Sequence, residues 1–85
     1  MAEKTYMTLA LEEARAAQTY GEVPVGAVVV EATTGRVLAQ TANRVEQDRD
    51  PTGHAELLAL RATARELCTP RLTECDLYVT LEPCA

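Results

Sequence analysis

The stretch at residues 25–30, V-G-A-V-V-V, decides the fold of this chain. It is too short and too rich in β-branched valine for a helix, and it is typical of a strand that is buried on both faces. The turn residues T-T-G follow at positions 33–35, and residues 36–42 are predicted to form a second strand paired with the first. The sheet is therefore expected to begin with a hairpin.

A helix is predicted ahead of the hairpin, over residues 4–19, and Gly21 ends it. Alanine, glutamate and arginine, which are good helix formers, dominate this stretch. Its apolar side chains recur at helical spacing and form one face, which we expect to be buried. That face consists of Tyr6, Met7, Ala10, Leu11, Ala14 and Ala17.

A second helix and a third strand are predicted after the hairpin. Residues 43–52 are polar and irregular, and Asp50-Pro51 within them is a helix-start signal. The helix is predicted over residues 53–67, and an alternating stretch at residues 77–81 predicts the third strand. Because a helix precedes that strand, we expect it to lie parallel to one of the first two. The apolar face of this helix consists of Leu57, Leu60, Ala64 and Leu67.

Length and composition limit the classes of protein that this chain can belong to. Its 85 residues allow a single domain, and the order α-β-β-α-β indicates an α/β layer structure. The core is thin, because 14 alanines supply much of the apolar content and Ile, Phe and Trp are absent. Neither a secretory signal nor an apolar run of the ~20 residues that span a bilayer is present. We therefore expect a cytoplasmic protein without membrane contact, whose cysteines are thiols or metal ligands.

A partial zinc site is visible in the sequence. His54 is followed by Ala55 and Glu56, and Cys84 lies farther along the chain after Pro83. A catalytic zinc keeps about three protein ligands and one water, and a nearby glutamate can move the protons of that water. Residues two apart on a helix point about 200° apart, so His54 and Glu56 can reach one metal only from its first turn. His54 and Cys84 therefore supply two of the three protein ligands that a catalytic zinc needs.

Four sequence blocks resemble a known family. H-A-E at residues 54–56 and P-C at 83–84 resemble the front of the H-x-E…P-C-x-x-C signature of zinc nucleoside and base deaminases. The blocks are similar, in order and spacing, to those of the tRNA-specific adenosine deaminases, and they extend over essentially the whole chain. They read E-V-P-V-G-A-V-V-V at 22–30, A-N-R at 42–44, D-P-T-G-H-A-E at 50–56 and L-Y-V-T-L-E-P-C at 77–84.

The resemblance implies a role for each matching residue. His54 and Cys84 would bind Zn²⁺, and the third ligand, a cysteine, is expected as the second residue after Ala85. Glu56 would be the catalytic acid and base, which takes a proton from the water that attacks C6 of adenine and helps ammonia to leave. The substrate-binding residues would be Asn43, which hydrogen-bonds the nucleoside, and Val25, which lines the base pocket.

The resemblance also implies an architecture and an activity. The fold would be cytidine deaminase-like, with α/β/α layers and a mixed sheet, and residues 1–85 would be the N-terminal part, a little over half, of one zinc deaminase domain, truncated before its last helices and strands. The intact protein would convert adenosine to inosine at the wobble position of the anticodon loop, bind the tRNA anticodon stem-loop and form a homodimer. The 85 residues alone would be inactive.

Two alternatives stay open at this point. Guanine and cytosine deaminases share the motif and act on free bases, and the net charge of −5 favours them, since tRNA binding calls for basic surface. The chain is otherwise a truncated or split fragment without activity of its own. Each site residue also has a structural interpretation: a capping or surface histidine, a first-turn acid, a turn asparagine and, for Cys84, Cys68 and Cys75, small buried apolar residues.

Overall fold

The computed structural model describes residues 5–69 and 71–80, and the predicted order of elements is confirmed there. One short helix is added within the stretch predicted to be irregular. The elements are α1 (Tyr6–Thr19), β1 (Gly26–Glu31), β2 (Val37–Ala42), α2 (Val45–Asp48), α3 (Ala55–Leu67) and β3 (Cys75–Val79). Thr5, within the first predicted helix, is instead the N-cap of α1, and Thr80, within the predicted third strand, follows β3. Residues 4 and 81 lie outside the described ranges.

The three strands form a sheet in the order β2-β1-β3, and both pairings are antiparallel. The β1–β2 register places Val28 opposite Gln40 and shifts between Val29 and Val30, whereas β3 places Tyr78 opposite Val28. The third strand runs parallel to β2, as expected, but it pairs only with β1, so the described strands do not show the mixed character expected of the sheet. The reason is that α3 carries the chain past β1, so β3 runs in the direction of β2 without being its neighbour.

Helices cover the sheet on both faces, as the predicted α/β/α layers require. Ala27 and Val29 of β1 pack with Ala55 and Ala59 of α3 on one face. On the other face, the remaining apolar residues of β1 pack against α1: Ala10 of that helix lies with Val28 and Val30. The buried strand at the centre of the sheet is thus the stretch that the sequence identified first.

The helices contact the sheet through small residues rather than through their large apolar side chains. The buried residues of α1 are Ala10, Ala14 and Ala17, while Met7 and Leu11, which we expected in the core, are 40% and 42% exposed. Gly26 explains this arrangement, because a Cβ atom there would collide with the carbonyl oxygen of Ala10. Backbone packs directly on backbone at this crossing, and only an alanine face allows such an approach.

In α3, too, small residues rather than large apolar side chains contact the sheet. Its buried residues are Ala55, Ala59 and Thr63, whereas Leu57, predicted to face the core, is 40% exposed. The helix begins at Ala55 rather than at residue 53, for reasons that lie in the preceding loop. None of the helices in residues 5–69 and 71–80 combines the length and the apolar character needed to cross a membrane.

Candidate active site

The loop between β2 and α3, residues 43–54, is closed at its two ends. The backbone N–H of Arg44 donates to the carbonyl oxygen of Gly53 at 2.8 Å. A Cβ atom on Gly53 would lie 3.1 Å from backbone atoms of Arg44, Asp50 and Val45, so a side chain there would require these atoms to shift by a few tenths of an ångström. The chain therefore leaves β2 and enters α3 from nearly the same place.

The Asp50-Pro51 pair forms a turn inside this loop and does not start the helix. Asp50 Oδ1 accepts the backbone N–H of Thr52 at 2.9 Å and its hydroxyl at 2.7 Å. These hydrogen bonds stabilise the ionised carboxylate and lower the pKa of Asp50, the hydroxyl bond contributing most. The carboxylate of Asp50 therefore closes an Asx turn instead of capping the helix. The first residue of α3 is Ala55, four residues after Pro51.

His54 is the N-cap residue of α3, in an extended conformation with φ −79° and ψ 143°. Its backbone carbonyl accepts the N–H of Leu58 at 3.0 Å, but its side chain makes no capping hydrogen bond. The imidazole is exposed and has no hydrogen-bond partner within residues 5–69 and 71–80. A ring in this state is available to a ligand. His54 occupies the N-cap position, but its side chain does not cap the helix, so the structural interpretation that remains is an exposed surface residue.

Glu56 lies in the first turn of α3 and is half-buried. Because His54 precedes the helix and has an extended backbone, the two side chains are not constrained to the 200° separation of an ideal helix, about 100° per residue. The requirement derived from the sequence, that both residues lie at the start of the helix, is therefore met.

Asn43 connects the end of β2 to the start of α3. It is 5% exposed, its Oδ1 accepts the backbone N–H of Ala55 at 2.8 Å, and its own N–H donates to the carbonyl of Val25 at 3.0 Å. Since the partner of Oδ1 is a donor, the orientation of the amide is fixed. No fully buried side-chain polar atom in the described ranges lacks a partner, so the unbonded Nδ2 is accessible. The two hydrogens of Nδ2 are therefore available to donate to a ligand.

A cavity of about 290 Å³ brings three of the predicted site residues together. His54, Asn43 and Val25 line it, together with Glu22 and Val45. Glu56 does not line it, and Cys84 lies outside the described residues, as does the ligand expected beyond Ala85. A second cavity, of about 330 Å³ between α1 and β2, also touches Asn43 but not His54.

The donor set fits zinc only in part. Within residues 5–69 and 71–80, no three His, Cys, Asp or Glu side chains are close enough to bind a metal ion together. His54 supplies one accessible nitrogen ligand beside a cavity, and a neutral imidazole is a common zinc ligand. The residues that the structure describes are compatible with a zinc site completed by cysteines from the following segment.

The other two cysteines have different environments. Cys75 packs against the core as the first residue of β3, as expected for a small apolar residue. Cys68 is exposed, because it is the C-cap of α3 and has a left-handed backbone with φ 54°. The prediction of a buried residue is wrong for Cys68 and holds in part for Cys75, which is half-buried.

Two polar residues of the site were missed by the sequence analysis. Thr41 donates its hydroxyl to the carbonyl oxygen of Ala55 at 2.7 Å, beside the bond from Asn43. Glu22 is a buried carboxylate that accepts backbone N–H groups of α2. No residue spacing marks either side chain, because the partners are backbone groups that lie far away in the sequence.

The H-x-E spacing of His54 and Glu56 at the start of α3, with a cavity beside His54, agrees with the signature of the zinc-dependent nucleobase deaminases. The chain belongs to the family described as the cytidine and deoxycytidylate deaminase zinc-binding region, whose family profile matches residues 1–85. A tRNA-specific adenosine deaminase of Aquifex aeolicus is 46% identical over 84 residues, which are 99% of this chain and 54% of that protein. The chain thus spans about half the length of this relative.

Solved structures of deaminases also match this chain. A structure from a study of A-to-I editing by tRNA:A34 deaminases at the wobble position of transfer RNA matches with TM-score 0.84 and 49% identity, over 93% of this chain and 59% of that one. A guanine deaminase from Bacillus subtilis matches with TM-score 0.85 and 35% identity, over 99% of this chain and 53% of that one. The fold is therefore shared by deaminases of two substrate classes.

Proposed function

We propose that the full-length protein hydrolyses adenosine to inosine at the wobble position of a tRNA anticodon loop. The observation that carries this proposal is the cavity on which Asn43, His54 and Val25 meet, with the asparagine amide locked in one orientation. The greater identity to the tRNA:A34 deaminase structure, 49% against 35% for the guanine deaminase, favours adenosine in tRNA as the substrate.

Zinc is the cofactor of this proposal, held by His54, Cys84 and a cysteine after Ala85. When bound, the metal supplies a nucleophile at neutral pH by lowering the pKa of water. Glu56, in the first turn of α3, accepts the proton of the attacking water and delivers it to the leaving amine.

The base is bound by groups that the fold holds rigidly. The Nδ2 hydrogens of Asn43 donate to an acceptor of the nucleoside, while Oδ1 stays on Ala55. Val25 provides an apolar wall of the cavity. A base inside a stacked loop cannot reach such a cavity, so the target nucleotide must be turned out of the anticodon loop.

The test is the release of ammonia and the formation of inosine from an anticodon stem-loop with adenosine at the wobble position. We expect turnover by the full-length protein with zinc, and none from a stem-loop that carries guanosine there. Absence of inosine with zinc-loaded protein would contradict the proposal.

A free-base deaminase is the second candidate. It is favoured by the match to the guanine deaminase structure and by the net charge of −5, which does not attract RNA. Competition between free guanine, free cytosine and the stem-loop as substrates decides between the two. A split or truncated fragment is the third candidate, and it predicts that residues 1–85 gain activity only when the missing part is added.

We also propose that the full-length protein is a cytoplasmic homodimer. The proposal rests on the resemblance of the sequence to the tRNA-specific adenosine deaminases. Sedimentation analysis of the full-length protein tests the dimer, and cell fractionation tests the compartment.

A further inference from the structure

The carboxylate of Glu22 joins two walls of the candidate cavity. Glu22 lies between α1 and β1 and is only 4% exposed. Its Oε1 accepts the backbone N–H of Glu46 at 3.1 Å, and its Oε2 accepts that of Gln47 at 2.7 Å. The segment before β1 and the loop of residues 43–54 are therefore connected, across the cavity that both of them line, by one side chain.

Glu22 supplies what α2 lacks locally. The first N–H groups of a helix have no partner inside it, and Arg44, the N-cap of α2, makes no side-chain capping bond. A carboxylate that accepts two of these N–H groups forms charge-assisted bonds at the positive end of the helix. Since α2 has only four residues, its stability depends on such contacts rather than on its own hydrogen bonds.

The ends of the loop are fixed without Glu22. The Arg44–Gly53 bond closes the loop, and the Asn43–Ala55 bond holds the amide in place. Loss of the Glu22 bonds would thus loosen the middle of the loop, where Val45 and Glu46 line the cavity, and leave its ends where they are.

We propose that Glu22 is a positioning residue for the substrate, which sets the shape of the cavity by holding α2 against the segment before β1. This inference rests on the proposed deaminase function. It assigns to Glu22 neither a proton transfer nor contact with the reacting atoms. Glu22 acts on substrate binding through Val45 and Glu46.

The test compares Glu22→Gln and Glu22→Asp in the full-length zinc-loaded protein with Glu66→Gln as a matched control. The glutamine keeps the volume but turns an NH₂ group toward a backbone N–H, and Glu66 is an exposed glutamate of α3, whose loss removes the same charge elsewhere. We expect Glu22→Gln to raise KM for the stem-loop about tenfold, with kcat changed less than about twofold, because ground-state binding is weakened. Glu22→Asp keeps the charge but is shorter, so its KM for the stem-loop should lie between those of the wild-type protein and Glu22→Gln.

Amide hydrogen exchange provides a readout that does not depend on activity. Exchange at Glu46 and Gln47 should be at least about tenfold faster in Glu22→Gln than in Glu66→Gln, while Val28 and Val29 in the central strand keep their protection. If the wild-type protein deaminates nothing, the proposed function fails, and exchange that is unchanged at these two amides overturns the connection itself.

Three results would overturn the inference. The first is a KM equal to that of Glu66→Gln. The second is a fall in kcat at unchanged KM, which a merely structural role produces by lowering the folded fraction. The third is faster exchange throughout the protein. If Glu22→Gln does not fold, Glu22→Asp decides by the same measurements, since an unchanged KM with normal exchange in α2 contradicts the proposal.

Discussion

The side-chain oxygen of Asn43 accepts the backbone N–H of Ala55 at 2.8 Å, so one amide connects the residue that follows β2 to the first residue of α3. Asn43 also lines the candidate cavity, and no hydrogen bond occupies its NH₂ group among the residues that the structure describes. Asn43 therefore serves the fold with its oxygen and, in the proposed function, the substrate with its nitrogen.

The two roles of Asn43 can be separated by substitution. Asn43→Asp keeps an acceptor for Ala55 but replaces the amide donors with an oxygen, so we expect near wild-type stability and a fall in kcat/KM of about 10- to 100-fold. Asn43→Ala should also lower the free energy of unfolding by about 1–3 kcal/mol, because a buried N–H loses its acceptor. Urea denaturation and steady-state kinetics measure the two effects, and equal destabilisation by both variants would contradict the assignment.

Glu56 is the only residue to which the proposed mechanism gives proton transfer. Glu56→Gln keeps the size of the side chain and removes its basicity, so we expect kcat to fall by about 10²- to 10⁴-fold with zinc content unchanged. Glu66→Gln, at the opposite end of α3, should leave kcat within about twofold of wild type, as expected for an exposed position away from the site. Activity of Glu56→Gln within tenfold of wild type would rule out this role.

His54→Ala tests the metal assignment. The imidazole is exposed and without a hydrogen bond among the residues that the structure describes, so its loss should change the unfolding free energy of the metal-free protein by less than about 0.5 kcal/mol. In the presence of zinc, the variant should lack the stabilisation that wild type gains from the metal. Metal analysis and thermal denaturation with and without chelator measure both. Wild-type zinc content in His54→Ala would show that the histidine is not a ligand.

Gly26→Ala tests the close crossing of α1 over β1. The added Cβ would run into backbone atoms of Ala10 and Ala14, and we expect a loss of about 3 kcal/mol in unfolding free energy. Gly21→Ala is the control, because no atom lies within 4 Å of its Cβ, and its φ of 78° makes the substitution cost only about 1 kcal/mol. A milder effect at Gly26 than at Gly21 would contradict the packing described for α1.

The Asx turn at Asp50 gives a pH dependence of definite sign. The bonds from Thr52 lower the pKa of Asp50 in the folded state, so the unfolded chain binds more protons in that range. The contribution to stability is therefore fully present above the pKa of the unfolded state, about pH 4, and is lost as the pH falls through the lowered value. Asp50→Asn keeps the acceptor and cannot titrate, so its stability should fall less steeply in acid, as measured by denaturation between pH 2 and about pH 6. A slope identical to wild type would show that this turn is not coupled to folding.

Strand and helix positions could be predicted largely from local pattern. The valine run specifies a buried strand, and helical spacing specifies α1 and α3 to within two residues at each end. The buried faces were predicted less well, because periodicity counts Met7 and Leu57 as core residues. Where a helix crosses a glycine in direct backbone contact, the smallest side chains are buried and the larger ones are left at the rim.

The site residues, too, could be predicted where a local motif marks them and not where their partners lie far away in the sequence. His54 and Glu56 are recognisable because both lie in one short motif, and Asn43 because of its sequence block. Glu22 also lies in a sequence block, at residues 22–30, but the block does not indicate its role, since its hydrogen bonds join residues 24 and 25 positions apart and end on backbone groups. The turn at Asp50 was misassigned because an aspartate before a proline is equally suited to a helix start and to an Asx turn.

The alanine contacts of α3 have a consequence for how accurately the histidine is placed. Ala55 and Ala59 are both 0% exposed and pack against Ala27 and Val29 of the central strand. A methyl group has no rotamers, so these two contacts have a single side-chain conformation. The chain's poverty in large apolar residues, a weakness for stability, thus removes one source of variation in where α3 begins.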